Sequence, residues 1–150
     1  MKTIAVIGGT GKLGAALARR WAKAGLPVII GSRHAEAAIA AAAELGFGLT
    51  GMANEDAAAR AEIIVVTVPF AAQEATMNSI AAHVRGKIVV DTTVPLMPPK
   101  VMQAQLPPEG SAAQRAQKIL GGDVNLVSAF VSAGAKTYHG SGGIVPPRAA

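Results

Sequence analysis

Residues 4–14 of the chain read IAVIGGTGKLG, in which four apolar residues run directly into a glycine-rich turn. Gly9, Gly11 and Gly14 form the pattern G-x-G-x-x-G between a predicted strand and a predicted helix, the context that makes this weak motif informative. Gly9 permits a tight turn, Gly11 lets a pyrophosphate approach the backbone, and Gly14 lets the helix pack against the strand. The N–H groups at the helix N-terminus would attract the phosphates. This stretch predicts a dinucleotide-binding turn, the alternative being a glycine-rich turn without a ligand.

Strands and helices alternate along the rest of the chain. Apolar runs predict strands at Ile4–Ile7, Val28–Ile30, Gly48–Thr50, Ile63–Val68, Lys87–Val90 and Val124–Phe130. Helical periodicity predicts helices at Leu13–Ala24, Ala35–Leu45, Asn54–Ala61 (with Asn54 as its N-cap), Ala72–Val84 and Ser111–Leu120. This order is typical of an α/β fold of the Rossmann type, a doubly wound parallel sheet with helices on both faces.

Length and composition set broad limits on the protein. The 150 residues suffice for one domain, and the 51% hydrophobic and 15% charged content suits a sheet buried on both faces. The absence of cysteine excludes disulfides and thiolate metal sites, and no metal-binding constellation is evident. The apolar runs are too short to span a membrane or to form a signal peptide, so we expect a cytoplasmic protein.

The net charge of +5 raises the question of nucleic acid binding. The basic residues are scattered, however, with Arg19-Arg20 as the only adjacent pair, and the chain has only five aromatic residues (one Trp, one Tyr and three Phe). We therefore expect no nucleic acid partner. Some of these cations could instead face an anionic cofactor.

The end of the second predicted strand carries no carboxylate. Sites for NAD usually place Asp or Glu there, about 20 residues after the glycines, to bond the ribose 2′-hydroxyl. This chain has Gly31-Ser32-Arg33-His34 instead. Ser32 can donate a hydroxyl and Arg33 can pair bidentately with a 2′-phosphate, which favours NADP over NAD. The alternatives are that Ser32 caps the next helix and that Arg33 is solvated or stacks on adenine.

The nicotinamide side is expected at the ends of the fourth and fifth strands, because ligands of open α/β sheets lie across the carboxyl ends of the strands. Asp91 follows the fifth strand and could be a catalytic acid, although an Asp in this position more often caps a turn. We therefore assign no catalytic residue. The predicted cofactor-binding residues are Gly9, Thr10, Gly11, Lys12, Leu13, Gly14, Ser32, Arg33, Val68, Pro69, Phe70, Thr93, Val94 and Pro95.

Several of these segments resemble a known family, the NADPH-dependent F420 reductases, also called F420H2:NADP oxidoreductases. The resemblance covers roughly Lys2–Phe130 and rests on Gly8–Gly14, Gly31–Arg33, Val68–Phe70, Val90–Leu96 and Pro108–Ala113. It implies hydride transfer between NADP(H) and a 5-deazaflavin, coenzyme F420. Such a transfer needs positioning of two rings more than a protein acid or base.

The resemblance also assigns site residues and exposes two differences. It implies that Thr10, Ser32 and Arg33 hold the 2′-phosphate and nearby groups. Family members often add a Lys shortly afterwards, where this chain has Ala35-Glu36-Ala37-Ala38, so weaker NADP selectivity is expected. They also continue beyond the sixth strand to close the deazaflavin site and often a dimer interface.

The predicted domain organisation follows from these observations. Residues 1–130 are expected to form an NADP-binding Rossmann domain, and 131–150 a Gly/Pro-rich tail that is disordered or truncated, with slow turnover as a consequence. The expected partners are the dinucleotide and the deazaflavin, and a homodimer is an open alternative. Two other functions also stay open: a reductase of another small substrate or flavin, and a dinucleotide-binding module without turnover.

Overall fold

The computed structural model describes residues 1–93 and 112–129. Within these ranges the strands are β1 (Ile4–Ile7), β2 (Val28–Ser32), β3 (Thr50–Ala53), β4 (Ile63–Val66), β5 (Ile88–Asp91) and β6 (Asn125–Ser128). The helices are α1 (Lys12–Lys23), α2 (Ala35–Leu45), α3 (Asn54–Arg60), α4 (Phe70–Ile80) and α5 (Ala112–Leu120), and a 3-10 turn at Ala81–His83 follows α4.

The six strands form one parallel sheet in the order β3-β2-β1-β4-β5-β6. Strand β1 pairs with both β2 and β4, so the winding direction reverses there and opens a crevice at the carboxyl ends of β1 and β4. This architecture confirms the predicted Rossmann-type fold.

Helices cover both faces of the sheet because side chains of a buried strand alternate in direction. In β1, Ile4 and Val6 pack with α1 and α2, whereas Ala5 and Ile7 pack with α3, α4 and α5. All four of these side chains are buried. The strand that precedes the glycine turn is thus fixed from both sides, which holds the turn in a defined position.

The bounds of several elements differ from prediction in ways that matter for the site. Strand β2 runs on to Ser32, which pairs with Ala53 of β3. Strand β4 ends at Val66 instead of Val68, and α4 begins two residues early at Phe70 because Pro69, which has no N–H to donate, is its N-cap. Helix α4 ends at Ile80 and continues as the 3-10 turn.

The third strand was predicted in the wrong place. Gly48–Thr50 is not a strand, because Phe47 and Gly48 have positive φ angles of 57° and 75° and belong to a turn. Strand β3 begins at Thr50, and its Gly51 lies against the backbone of Ala38, where a Cβ would collide. Glycine at this position lets α2 pack closely on the sheet.

The remaining helix and strand bounds agree with prediction to within one or two residues. The predicted loop Val94–Pro108, Ser111, Phe130 and the tail Ala133–Ala150 lie outside the described residues. In the parts that the structure describes, no helix is long and apolar enough to cross a membrane.

Candidate functional site

The glycine turn joins β1 to α1 as the motif predicts. The Gly9 N–H donates to the Gly31 carbonyl at 3.0 Å, and the Gly11 N–H donates to the Gly8 carbonyl at 3.1 Å. The first α-helical hydrogen bond is from Ala15 N to Gly11 O, at 2.8 Å. The N–H groups of residues 12–14 precede that bond and have no acceptor within the helix. They are available to phosphate oxygens at the N-terminus of a twelve-residue helix.

The three motif glycines differ in what surrounds them. A Cβ on Gly9 would lie 2.9 Å from the Val6 carbonyl oxygen, and one on Gly14 would lie 2.5 Å from Thr67 Oγ1. A Cβ on Gly11 would meet only the Gly8 oxygen at 3.5 Å, an ordinary contact, and Gly11 is exposed. The protein's own packing therefore requires glycine at 9 and 14. At Gly11 the space is open, which fits an approaching pyrophosphate.

Asn54, at the start of α3, contacts the glycine turn through its side chain. It was predicted as an N-cap, which is wrong: the N-cap of α3 is Ala53, and Asn54 is the first helical residue. Its side chain is buried, and Oδ1 accepts a long hydrogen bond from the Gly8 N–H at 3.5 Å. The same oxygen would lie 2.9 Å from a Cβ on Gly31. Sequence reasoning missed this role because the contact spans 46 residues.

The end of β2 presents one buried hydroxyl and one exposed cation. Ser32 is 8% exposed and accepts from the His34 N–H at 3.4 Å. The N-cap of α2 is His34 and has no side-chain capping bond, so the alternative that Ser32 caps this helix is wrong. Arg33 is exposed and forms no ion pair with any residue of 1–93 or 112–129. Its guanidinium is therefore available to a ligand anion.

A cleft of about 370 Å³ lies beyond the turn, between the N-terminus of α1 and the carboxyl ends of β4 and β5. Its lining residues are Gly11, Lys12, Leu13, Thr67, Val68, Pro69, Phe70, Thr92 and Thr93. This set contains the described residues predicted for the nicotinamide side, whereas Val94 and Pro95 lie outside the described residues. Thr10 is exposed on the turn but, like Ser32 and Arg33, does not line this cleft.

A buried polar cluster borders the cleft. Asp91 is 1% exposed and accepts hydrogen bonds from Gln73 Nε2 at 2.8 Å, Thr93 N at 2.9 Å and Thr93 Oγ1 at 3.1 Å. Burial raises the pKa of the Asp91 carboxyl above its ordinary value, while the bonds from Thr93 and Gln73 act in the opposite direction. The bond to Thr93 N makes Asp91 the cap of a turn, the more common of the two predicted roles.

Gln73 was not among the predicted site residues. It lies on α4 with Phe70, Met77 and Ile80 on the inward face, and it is fully buried. The available signal was a polar residue within the apolar stripe of a helix, since a buried amide needs hydrogen-bond partners. Its partner Asp91 lies 18 residues away, on a different element.

Phe70 is held from outside the cleft by α5. The Arg115 guanidinium carbon lies 5.0 Å from the centre of the Phe70 ring, and Arg115 Nη2 lies 2.7 Å from Glu74 Oε2. The Arg115 side chain is only 17% exposed. This cation–π contact stabilises a ring that lines the cleft. Arg115 was also missed, because nothing local in the sequence pairs it with Phe70.

In the described part of the chain, no three His, Cys, Asp or Glu side chains come together as a metal site. His83 is exposed, and His139 lies outside the described residues. The site therefore offers N–H groups for phosphate binding at α1 and a cation at the end of β2. Its cleft is lined by the Phe70 ring and three threonines.

A family model described as "NADP oxidoreductase coenzyme F420-dependent" matches residues 3–95, which run from β1 past the cleft residues that follow β5. The chain belongs to this family. The match confirms the resemblance recognised in the sequence, and it covers the glycine turn, the end of β2 and the described cleft residues.

Two curated relatives support the assignment. The F420-dependent NADP reductase of Methanothermobacter thermautotrophicus is 46% identical over 128 residues, 78% of this chain and 55% of that protein. The enzyme of the same name from Methanocaldococcus jannaschii is 34% identical over 139 residues, 85% of this chain and 61% of that protein. The chain thus spans little more than half the length of the curated relatives that it matches.

A solved structure gives the same fold. The crystal structure of a putative F420-dependent NADP-reductase from Arthrobacter sp. FB24 superimposes with a TM-score of 0.79 at 28% sequence identity. The superposition covers 91% of this chain and 65% of that one. This chain therefore shares the fold of the superimposed part of that protein.

Proposed function

We propose that this chain binds NADP(H) and serves a hydride transfer between NADP(H) and coenzyme F420. The observation that carries the proposal is Gly11, which is the motif glycine that the fold itself leaves open. It stands between the free N–H groups of α1 and the cleft. The names of the curated relatives supply the second substrate, since both are F420-dependent NADP reductases.

The preference for the phosphorylated dinucleotide rests on the end of β2. No carboxylate is present at positions 31–34 to bond a ribose 2′-hydroxyl. Arg33 is exposed and unpaired within the described residues, so it can reach a 2′-phosphate without breaking an existing ion pair. Glu36 in the first turn of α2 opposes an anion there, which favours a moderate preference over a strict one.

The role of the protein in the transfer is positioning. Coenzyme F420 supplies a 5-deazaflavin ring that exchanges a hydride with nicotinamide. The residues of this chain would hold the nicotinamide ring between Phe70 and the threonines of the cleft. Because Asp91 is already bonded to three donors, it serves the structure of the cleft wall and is not assigned a proton-transfer role.

We extend the proposal to the organisation of the protein. Residues 1–130 form the cofactor domain, and the deazaflavin contacts a surface that includes the open side of the cleft. A cytoplasmic location and a homodimer remain predictions. Gel filtration with light scattering tests the dimer directly.

Two measurements on the purified chain test the proposed function. Calorimetric titration should give saturable NADPH binding, with weaker binding of NADH. Addition of oxidised F420 with NADPH should then lower the F420 absorbance at a rate proportional to protein concentration. Gly11→Val is the matched control, because it fills the phosphate approach while leaving the packing at Gly9 and Gly14 intact.

The outcomes separate the alternatives. A folded chain that binds no NADPH would refute the dinucleotide site. NADPH binding without any change in F420 absorbance would refute the hydride-transfer proposal for this chain and favour a binding module. Reduction of free flavin in place of F420 would instead assign another acceptor.

A further inference from the structure

Three threonines line the cleft, and the hydrogen-bond donors of all three point into the protein. Thr67 directs both its N–H and its hydroxyl to the Ile7 carbonyl, each at 2.9 Å. Thr92 directs its N–H and hydroxyl to the Val66 carbonyl, at 3.1 Å and 2.8 Å. A threonine has only these two donors, so neither residue has a donor left for a ligand.

Both donors of Thr93 are also used within the protein, but their acceptor is a side chain instead of a strand carbonyl. Its N–H and its hydroxyl both donate to the Asp91 carboxylate, at 2.9 Å and 3.1 Å. Gln73 Nε2 donates to both Asp91 Oδ2 and Thr93 Oγ1, each at 2.8 Å. A carboxylate can only accept, so Asp91 fixes the direction of the Thr93 hydroxyl hydrogen.

Among the described residues, the partners of the Thr93 hydroxyl leave one of its lone pairs unused. A hydroxyl has one hydrogen and two lone pairs, and Asp91 and Gln73 take the hydrogen and one lone pair. The opposite side of the cleft carries donors, namely Lys12 and the free N–H groups of α1. The cleft is therefore polarised, with donors at the turn and acceptors at the ends of β4 and β5.

From this polarity we infer that Thr93, oriented by Asp91 and Gln73, accepts a hydrogen bond from the carboxamide N–H₂ of the bound nicotinamide. The inference rests on the proposed function, since it assumes that a nicotinamide dinucleotide occupies the cleft. A ligand suited to this cleft has an anion at one end and an N–H donor at the other. A dinucleotide joins a pyrophosphate to a carboxamide in that order.

Asp91 and Gln73 are positioning residues in this scheme, because they act on the ligand only through Thr93. With its carboxamide nitrogen held at Thr93, a bound nicotinamide ring would be restricted to one orientation in the cleft. The three buried side chains would thus contribute orientation and no proton transfer.

An analogue that lacks the donor tests the inference by binding alone. The 3-acetylpyridine analogue of NADP⁺ carries a methyl group in place of the carboxamide nitrogen and keeps the carbonyl. We expect the wild-type chain to bind NADP⁺ about two- to tenfold more tightly than the analogue, the range for one neutral hydrogen bond. Calorimetric titration of both ligands gives this ratio without dependence on turnover.

Three variants distinguish positioning from a merely structural role. Thr93→Val should lower the ratio to near one by weakening NADP⁺ alone, while Thr93→Ser should preserve it. Asp91→Asn keeps the Thr93 hydroxyl, but the new amide can donate a hydrogen bond to the hydroxyl oxygen. The hydroxyl hydrogen is then no longer held by a carboxylate. The ratio of NADP⁺ affinity to analogue affinity should therefore fall in this variant too. Thr76→Val is the matched control, because Thr76 is a buried threonine of α4 that does not line the cleft.

Each contrary outcome identifies what fails. Equal binding of NADP⁺ and the analogue by the wild-type chain would overturn the inference and leave the proposed function intact. A loss of both ligands in equal proportion in Thr93→Val would show that Thr93 only supports the wall. Binding of neither ligand by the folded wild type would refute the proposed function itself.

Discussion

The two sides of the candidate site differ in whether their polar side chains are exposed or buried. On the side of α1 and β2, Thr10, Lys12 and Arg33 are exposed and directed to solvent. On the side of β4 and β5, Asp91 and Thr93 are buried and bonded within a closed cluster. The first side can recognise a ligand with groups that the fold does not need. The second side is part of the core, so its contribution is orientation.

This contrast has an energetic consequence. Removing an exposed, unpaired side chain changes the free energy of unfolding little, usually within about 0.5 kcal/mol. Removing one partner of a buried hydrogen-bonded cluster leaves another group unsatisfied and costs about 1–3 kcal/mol. Substitutions on the two sides should therefore separate affinity from stability.

The largest expected effect is at the glycine turn. Gly11→Val should abolish measurable NADPH binding, because its side chain would occupy the space where the pyrophosphate approaches the backbone. Its φ of −76° suits valine, so we expect a stability loss of no more than about 1 kcal/mol from the weaker N-cap. Calorimetry and urea unfolding measure the two effects.

Gly14→Ala is the matched control for the effects of Gly11→Val on NADPH binding and stability. Its Cβ would lie 2.8 Å from the Gly9 Cα, so backbone must move, and about 1–3 kcal/mol of stability should be lost. If Gly11→Val destabilises the chain as much as Gly14→Ala, the separation between a ligand glycine and a packing glycine is wrong.

A smaller effect is expected at the end of β2. Arg33→Ala should weaken NADPH binding by roughly tenfold or more, since a charge-assisted bond contributes about 1.5–3 kcal/mol. NADH affinity and the urea midpoint should stay nearly unchanged, because Arg33 is exposed. Arg60→Ala, an exposed cation on α3, is the control. Equal losses for NADPH and NADH would show that Arg33 stacks on adenine.

The smallest predicted effect is a pH dependence on the buried side. Because burial raises the pKa of Asp91 in the folded chain, the contribution of this group to stability is full below its unfolded pKa and is lost as pH rises through the folded value. Asparagine does not titrate. The stability of Asp91→Asn relative to wild type should therefore increase from pH 3.5 to pH 6 in urea unfolding series.

The opposite trend has a definite meaning. A relative stability that falls with rising pH would show that the hydrogen bonds from Gln73 and Thr93 outweigh burial at this carboxylate. A flat difference would mean that the two effects cancel. Either result would weaken the contrast between the two sides of the site.

The sequence predicted the side of the site that is built from local signals. The glycine turn, its strand and its helix are contiguous, and Ser32 and Arg33, which stand where an acid is missing, are adjacent in the sequence. The fold class and the order of strands and helices along the chain followed from the alternation of elements, which needs only periodicity. Those features depend on neighbours within one or two elements.

The other side depends on contacts between distant segments, which periodicity does not report. Gln73 and Asp91 meet because α4 packs on β5, and Arg115 reaches Phe70 across 45 positions of sequence. Asn54 was predicted as a cap because Asn is common at helix N-termini. In the folded chain its side chain instead bonds to the glycine turn. The predicted starts of α4 and β3 were wrong because Pro69 caps α4 and a turn at Phe47 precedes β3.

Gly31 limits how the cofactor preference of this protein can be redesigned. A common engineering route to NAD inserts an aspartate near the end of the second strand. A side chain at 31 would lie 2.9 Å from Asn54 Oδ1 and 3.0 Å from Ile7 Cδ1, so the core closes that position. Redesign is confined to the three positions after it, of which Ser32 is buried and Arg33 and His34 are exposed. Evolution of a relative with the other cofactor would face the same restriction.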